Sequence, residues 1–239
     1  MRFLRGVRAL LFDLDGTLVD TAPDISAAVD ATLRTLELPL LEPSTVRSYI
    51  GRGVDTLLHR VLTGERDGNA ALDLHDRARD VFFREYLAHN GRTAAIYPGV
   101  REGLEHARRL GLSMCCVTNK LQHFSDDLLA QVGLDGYFEF VLGGDALPQR
   151  KPEPGPLLHA AARLHIPPAA CLMIGDSSND ALAARAAAMP VVLVPYGYTE
   201  DQSISAIDCD AVVASVAEIV AALEWANATG SVGLEGVPS

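Results

Sequence analysis

At 239 residues, with 49% hydrophobic and 21% charged side chains, the chain has the make-up of a globular protein, one domain or a domain carrying a sizeable insertion. A formal net charge of −11 argues against nucleic acid and anionic membrane surfaces as partners. No apolar run approaches the roughly 18 residues of a membrane span.

From the N-terminus, Arg2, Arg5 and Arg8 precede the run Leu10-Leu11-Phe12-Asp13-Leu14-Asp15-Gly16-Thr17-Leu18. The run breaks on two carboxylates and has no small-residue cleavage site, so it is not read as a signal peptide, and the cytoplasm is the expected location. It reads instead as a strand buried on both faces, with Asp13 at the rim of the crevice where open parallel sheets bind ligands. Two acids at a buried strand end repel each other unless one stays neutral or a hard cation lies between them. Helical apolar spacing follows over 24–38, stopped by Pro39, and again over about 53–62 and 70–88, around a loop at 64–69. No strand signal interrupts this block between Val19 and Gly91.

From Pro98 strands and helices alternate. A helix over 100–110 ends at Gly111, and a strand over 113–117 runs into Thr118-Asn119-Lys120. A helix over about 122–132, a short strand near 138–142 and a turn-rich segment, 143–156, carrying Lys151 come next. A helix at about 157–164 leads to a strand over 171–174 that ends on Gly175-Asp176-Ser177-Ser178-Asn179-Asp180. An alanine-rich helix to 188, strands over 191–194 and 211–213, and a helix to about 226 follow. Cys115, Cys116, Cys171 and Cys209 show no metal spacing and are expected as buried thiols. Alternation of this kind implies right-handed crossovers and a parallel sheet covered on both faces. The expected fold class is α/β, a doubly wound, Rossmann-like parallel-sheet core with an inserted all-helical cap. Residues 1–18 and 92–239 form the core, 19–91 the cap, and the small, polar, glycine-rich stretch 227–239 is expected to be a mobile tail.

If the sheet is doubly wound, four strand ends or loops converge on one crevice. They bring two carboxylates after the first strand, a hydroxyl and an amide after the second, a lysine, and two carboxylates after a later strand. Taken alone, each has a plainer reading: Thr118-Asn119 as a strand-end turn, Lys151-Pro152 as a solvated loop, and Asp176 or Ser177 as a helix cap. Carboxylates with a lysine and no histidine or cysteine ligand set suit a hard divalent cation such as Mg²⁺. The set can run phosphoryl transfer through an aspartyl-phosphate, with a second carboxylate moving protons. Of 20 basic residues only Lys120 and Lys151 are lysines. Lys151 suits the phosphoryl charge, whereas Lys120, for which help at the phosphate site is the alternative, is read as a solvated surface residue.

Asp13-Leu14-Asp15-Gly16-Thr17, Thr118-Asn119, Lys151-Pro152 and Gly175-Asp176-Ser177-Ser178-Asn179-Asp180 together resemble, in order, the four motifs of the haloacid dehalogenase superfamily. The helical block sits where that family's cap is inserted. The resemblance implies Asp13 as nucleophile and Mg²⁺ ligand, and Asp15 as general acid-base that also binds the metal through its carbonyl. It implies Thr118 and Asn119 on the phosphoryl group, Lys151 balancing its charge, and Asp176 completing the metal site with Asp180 supporting it directly or through water. Gly16 and Thr17 shape the turn, and Thr17 counts among the substrate-binding residues. The aspartate at position 15 favours phosphate-ester hydrolysis over dehalogenation or phosphonate cleavage.

Tyr196-Gly197-Tyr198 and Gly51-Arg52-Gly53-Val54 resemble segments common in the phosphoglycolate phosphatases of this superfamily. Arg52, flanked by glycines, is a candidate to grip a substrate carboxylate in bidentate fashion, with a solvent-facing loop arginine as its plainer reading. The expected function is Mg²⁺-dependent hydrolysis of a small phosphate ester, 2-phosphoglycolate, by a monomer or homodimer. The alternatives are a phosphatase for another small ester, nucleotide or pyrophosphate, a sugar-phosphate mutase, and an inactive ligand- or partner-binding member of the superfamily. Mutases usually carry an aliphatic residue where Thr17 stands, and an inactive member should have lost a charged motif residue.

Overall fold

In the computed structural model, which describes residues 2–230, the first apolar run is the central strand β1 (Ala9–Phe12). Short antiparallel strands β2 (Val19–Asp20) and β3 (Ala95–Ile96) pair with each other where the chain enters and leaves the helical block. β4 (Ser113–Val117) and β6 (Cys171–Gly175) flank β1 in parallel, with Phe12 level with Cys116 and Ile174. β5 (Val141–Leu142), β7 (Val191–Leu193) and β8 (Ala211–Val212) complete the parallel sheet in the order β5-β4-β1-β6-β7-β8.

The period of two along each strand explains why these runs are apolar throughout. Leu10, Phe12, Met114, Cys116, Leu172 and Ile174 face one core, under α5 (Val100–Arg109), α6 (Gln122–Gln131) and α9 (Val216–Gly230). Ala9, Leu11, Cys115, Val117, Cys171 and Met173 face the other, under α7 (Gly155–Arg163) and α8 (Ser178–Ala186). Adjacent Cys115 and Cys116 thus point to opposite faces, and all four cysteines are free, Cys209 only half-buried. The alanine-rich surface of α8 lets that helix lie close to the sheet, directly behind the strand end that carries Asp176.

Between β2 and β3 stand α1 (Ala22–Thr35), α2 (Pro43–Tyr49), α3 (Val54–Thr63) and α4 (Leu72–His89). They share a core of Ile25, Val29, Leu33, Val46, Leu58 and Phe82, which Phe124 and Tyr198 join from the sheet side. The two linkers are fastened together by buried Asp24. Its carboxylate accepts hydrogen bonds from the N–H groups of Gly91, Thr93 and Ala94 and from Thr93 Oγ1.

Five elements differ from expectation. β2 and β3 have two residues each, too few to show a strand's alternation, and β2 falls at Val19–Asp20, where the sequence carries no strand signal. α2 was not anticipated, because seven residues opened by Pro43 are too short to display a helical period. The strand foreseen over 138–142 is regular only at β5, although the Glu139 N–H still donates to the Met114 carbonyl and the Phe140 carbonyl accepts from the Cys116 N–H, so the segment runs beside β4 from its start after the 3₁₀ turn at Asp135–Tyr137. α9 runs on to Gly230, since no helix breaker occurs before that residue; Asn227–Gly230 are therefore helical, and the rest of the expected tail lies outside the described residues. No helix among the described residues is long and apolar enough to cross a membrane.

Candidate active site

β1 ends by delivering Asp13, whose N–H donates to the Ile174 carbonyl of β6 at 3.0 Å. Lys151 Nζ lies 2.9 Å from Asp13 Oδ1 and 2.7 Å from Asp180 Oδ1. Burial pushes the Asp13 carboxyl up to about 7; Lys151 opposes the shift, and Asp180 and Asp15 add to it. Burial likewise lifts Asp176 well above the usual carboxylate range, reinforced by Asp180 and Asp13. For Lys151, burial works against the charge, but Asp13 and Asp180 outweigh it and hold the ammonium protonated.

Asp176 leaves β6 into a space that only glycine permits. A Cβ on Gly16, which has φ +88°, would sit 2.1 Å from Asp176 Oδ2, and one on Gly197 would sit equally close at 2.1 Å. The N–H of Tyr198 donates to the same oxygen at 2.5 Å. Ser177 caps α8 in a capping box with Asp180, whose Oδ2 accepts from the Asp176 and Ser177 N–H groups and from Ser177 Oγ. The cap reading of this motif is thus correct for Ser177, and the same box aims Asp180 at Lys151. Asp13, Asp176 and Asp180 offer carboxylate oxygens within 4.8 Å of one another. Three buried acids against one lysine leave the cluster short of positive charge, and an all-oxygen donor set of this kind fits Mg²⁺. Asp180 has both oxygens engaged already, so Asp13 and Asp176 are the less encumbered donors.

Thr118 and Asn119 follow β4. Thr118 lines the cleft and accepts at Oγ1 from the Lys120 N–H at 3.2 Å. The Asn119 side chain is committed to the protein: Oδ1 accepts from the Lys151 N–H at 3.1 Å, while Nδ2 donates to the carbonyls of Lys151 at 2.8 Å and Gly51 at 3.0 Å. It positions the lysine and ties the α2–α3 loop to the sheet. The Lys151–Pro152 peptide bond is cis.

Lys120 overturns its reading as a solvated residue. It is 8% exposed, with Nζ 3.1 Å from Asp15 Oδ1 and 2.5 Å from the Tyr86 hydroxyl of α4. Docking of α4 covers it, an arrangement no local pattern could reveal. Asp15 Oδ1 also accepts from Thr21 Oγ1 at 2.8 Å. Tyr198, expected only as part of a segment with a family resemblance, accepts from the Thr21 and Ala22 N–H groups and donates to Asp20, fastening the first linker beside Asp176.

The cleft itself is lined by Asp13, Asp15, Thr118, Asn119, Lys120 and Phe124 below and by Ile25, Ile50, Val54, Leu57, Phe82 and Tyr86 above, with Gly51 and Gly53 at its edge. Two expected substrate residues are placed elsewhere. Arg52 turns out of the cleft to Glu200, Nε to Oε1 at 3.1 Å, because buried Glu200 also gathers Arg60 at 3.4 Å and Arg66 at 3.7 Å. Thr17 is buried outside the lining, its carbonyl accepting from the Tyr196 hydroxyl at 3.0 Å. Beside Gly51 lies Asn179, whose amide atoms are buried without a partner among the described residues.

Residues 7–188 match the family model of haloacid dehalogenase-like hydrolases. A phosphoglycolate phosphatase of Nitrosospira multiformis is 47% identical over 91% of this chain and 96% of its own length. Another, of Thiobacillus denitrificans, is 45% identical over 89% of this chain and 93% of its own. The crystal structure of a predicted phosphoglycolate phosphatase from Haemophilus somnus superposes with a TM-score of 0.86 at 30% identity, covering 91% of this chain and 98% of that one. With its motif residues gathered at the carboxyl ends of three parallel strands, this chain belongs to the haloacid dehalogenase-like hydrolases.

Proposed function

We propose that this hydrolase cleaves 2-phosphoglycolate to glycolate and phosphate, with Asp13 as nucleophile and residues 19–91 as a cap over a core of 1–18 and 92–239. The observation that carries the chemistry is the pairing of Lys151 with Asp13 and Asp180 at 2.9 and 2.7 Å inside a buried acid cluster. The relatives named above carry the choice of substrate. An Asp13 oxygen attacks phosphorus as the bond to the ester oxygen breaks, giving an aspartyl-phosphate. Asp15 protonates the departing glycolate oxygen, then takes a proton from the water that attacks phosphorus and frees Asp13. Lys151 stays charged throughout and balances the non-bridging oxygens, while the Thr118 hydroxyl steadies one of them.

Asp13, Asp176 and the main chain of Asp15 would hold Mg²⁺, with Asp180 acting on it through Lys151 and the start of α8. When bound, the cation supplies the positive charge that the transferring phosphoryl group and the acid cluster lack. Helices α1, α3 and α4 exclude water from the ester until the leaving group has been released.

The deciding experiment is phosphate release with Mg²⁺ from 2-phosphoglycolate, glucose 1-phosphate, nucleoside monophosphates and pyrophosphate, with Asp13→Asn as the blank. A kcat/KM for phosphoglycolate above the others by about 100-fold, near 3 kcal/mol of transition-state discrimination, is expected. Even rates across the panel would discard the substrate and keep the phosphatase. No release from any ester would discard both.

A further inference from the structure

The cleft poses a problem of charge. Lys151, which faces Asp13, is committed to the acid cluster, and the upper wall is aliphatic and aromatic. Lys120 is the one cationic residue among those lining the cleft. Its Nζ reaches Asp15 Oδ1 at 3.1 Å and Tyr86 Oη at 2.5 Å, which uses two of the three N–H donors that an ammonium carries. Tyr86 is fixed in turn: its ring stacks on Phe82 at 5.3 Å and meets Phe124 edge-on at 4.8 Å. Its oxygen accepts from Lys120, and no hydrogen bond among the described residues takes up its own proton. Two donors, one from each side of the cleft, therefore converge next to the carboxylate assigned to protonate the leaving oxygen.

We propose that Lys120 and Tyr86 form a reader for a carboxylate on the carbon next to the ester oxygen, and so set the substrate class of this enzyme. This rests on the phosphatase reading above and deepens it. With the ester oxygen at Asp15, a carboxylate one carbon away reaches the ammonium that already touches Asp15. A leaving group bearing neutral hydroxyls makes a weaker bond to that ammonium, without the opposite charge, and meets Ile25, Leu57, Phe82 and Phe124, which offer no hydrogen-bond partner. Specificity here lies in a lysine that follows Thr118-Asn119 and a tyrosine of α4. Arg52, held by Glu200, is not part of it.

The test compares 2-phosphoglycolate with 2-hydroxyethyl phosphate, an ester of the same length whose leaving group is neutral. Both are assayed on the full chain with Mg²⁺, as wild type, Lys120→Met and Tyr86→Phe. Lys120 also touches Asp15, so losses common to both esters report on proton transfer and only their ratio reports on the reader. Wild type is expected to prefer phosphoglycolate in kcat/KM by about 100-fold, with Lys120→Met cutting that preference by at least about 30-fold and Tyr86→Phe by about threefold to tenfold, mainly through KM. An equal loss on both esters in the two variants, with the wild-type preference intact, overturns the reader and leaves the phosphoglycolate reading standing. No preference in wild type overturns both. If Lys120→Met does not fold, Tyr86→Phe, which keeps the ring and its stacking, decides alone.

Discussion

The floor and the roof of the cleft are built by different means. On the floor, charged groups are held by the backbone: strand ends launch Asp13 and Asp176, a capping box orients Asp180, and Asn119 grips the main chain of Lys151. On the roof, apolar side chains of α1, α3 and α4 do the shaping, and side-chain contacts such as Lys120 to Tyr86 and Asn119 to Gly51 join it to the floor. The main clasp between them is Glu200, buried on the loop after β7 and surrounded by Arg52, Arg60 and Arg66 from the helical block. Backbone donors are lost only to proline, whereas apolar walls and side-chain ion pairs change with almost any substitution. Such a division leaves the roof free to vary in what it admits while the floor keeps its geometry.

Removing charge from the floor should do the most damage. Lys151 is 3% exposed, and Lys151→Met leaves Asp13 and Asp180 buried beside Asp176 with no cation from the protein. The expected result is a loss of kcat on the order of 10³-fold or more, with a stability loss of about 3–5 kcal/mol in urea unfolding without metal. A drop in kcat below about tenfold would remove Lys151 from the balance of phosphoryl charge.

Glu200→Ala is the matching change at the roof. It strands the Arg60 guanidinium, 1% exposed, which keeps only the Tyr49 and Arg66 carbonyls. A cost of about 2–4 kcal/mol is expected, since the partner of a buried charge is lost while carbonyl contacts remain. Because no group touching Asp13 changes, kcat at saturating substrate should fall far less than in Lys151→Met. Equal losses of kcat in the two variants would erase the distinction between floor and roof.

The floor was also the legible half. Asp13, Asp15, Thr118, Lys151, Asp176 and Asp180 sit at strand ends or in loops beside them, and apolar runs mark strand ends in a sequence. The roof depends on which faces meet after folding. Lys120 and Tyr86 touch across 34 positions of chain, and Arg52 and Glu200 across 148. A lone lysine in a polar tripeptide reads as solvated until a helix is known to cover it. Asn119 and Arg52 carry the same lesson in reverse. Both have the chemistry to hold a ligand, and both are taken up by protein partners that local spacing does not reveal. The seven residues of α2 carry too little periodicity to announce the helix that brings Gly51 to the cleft.

A smaller effect should appear in the pH dependence of the floor. Asp13 is pushed up to about 7, mainly by burial, from an ordinary 3.8. Between those values the folded state keeps a proton that the unfolded chain has released. The resulting stabilisation is complete below the lower value and is lost as pH rises through the upper one. Metal-free protein should therefore show a Tm falling by a few degrees between pH 5 and 8 (roughly, since about 1 kcal/mol moves Tm by 2–4 °C at this size). Asp13→Asn should flatten that slope, and Mg²⁺, which favours the deprotonated cluster, should oppose it. A slope unchanged in Asp13→Asn would assign it to other groups.

The smallest effect is expected at Arg52, where sequence and geometry point in different directions. Flanking glycines suggest an arginine free to reach a substrate carboxylate, but its side chain is 42% exposed and turned to Glu200. Glu200 would keep Arg60 and Arg66 after Arg52→Ala, and partly exposed ion pairs contribute little. The change should cost no more than about 1 kcal/mol in stability and raise KM for phosphoglycolate less than about fivefold. A KM increase above about tenfold with kcat preserved would mean that Arg52 leaves Glu200 when substrate binds. The roof would then contribute a second cation beside Lys120, and the Glu200 clasp would be a resting contact that the carboxylate displaces.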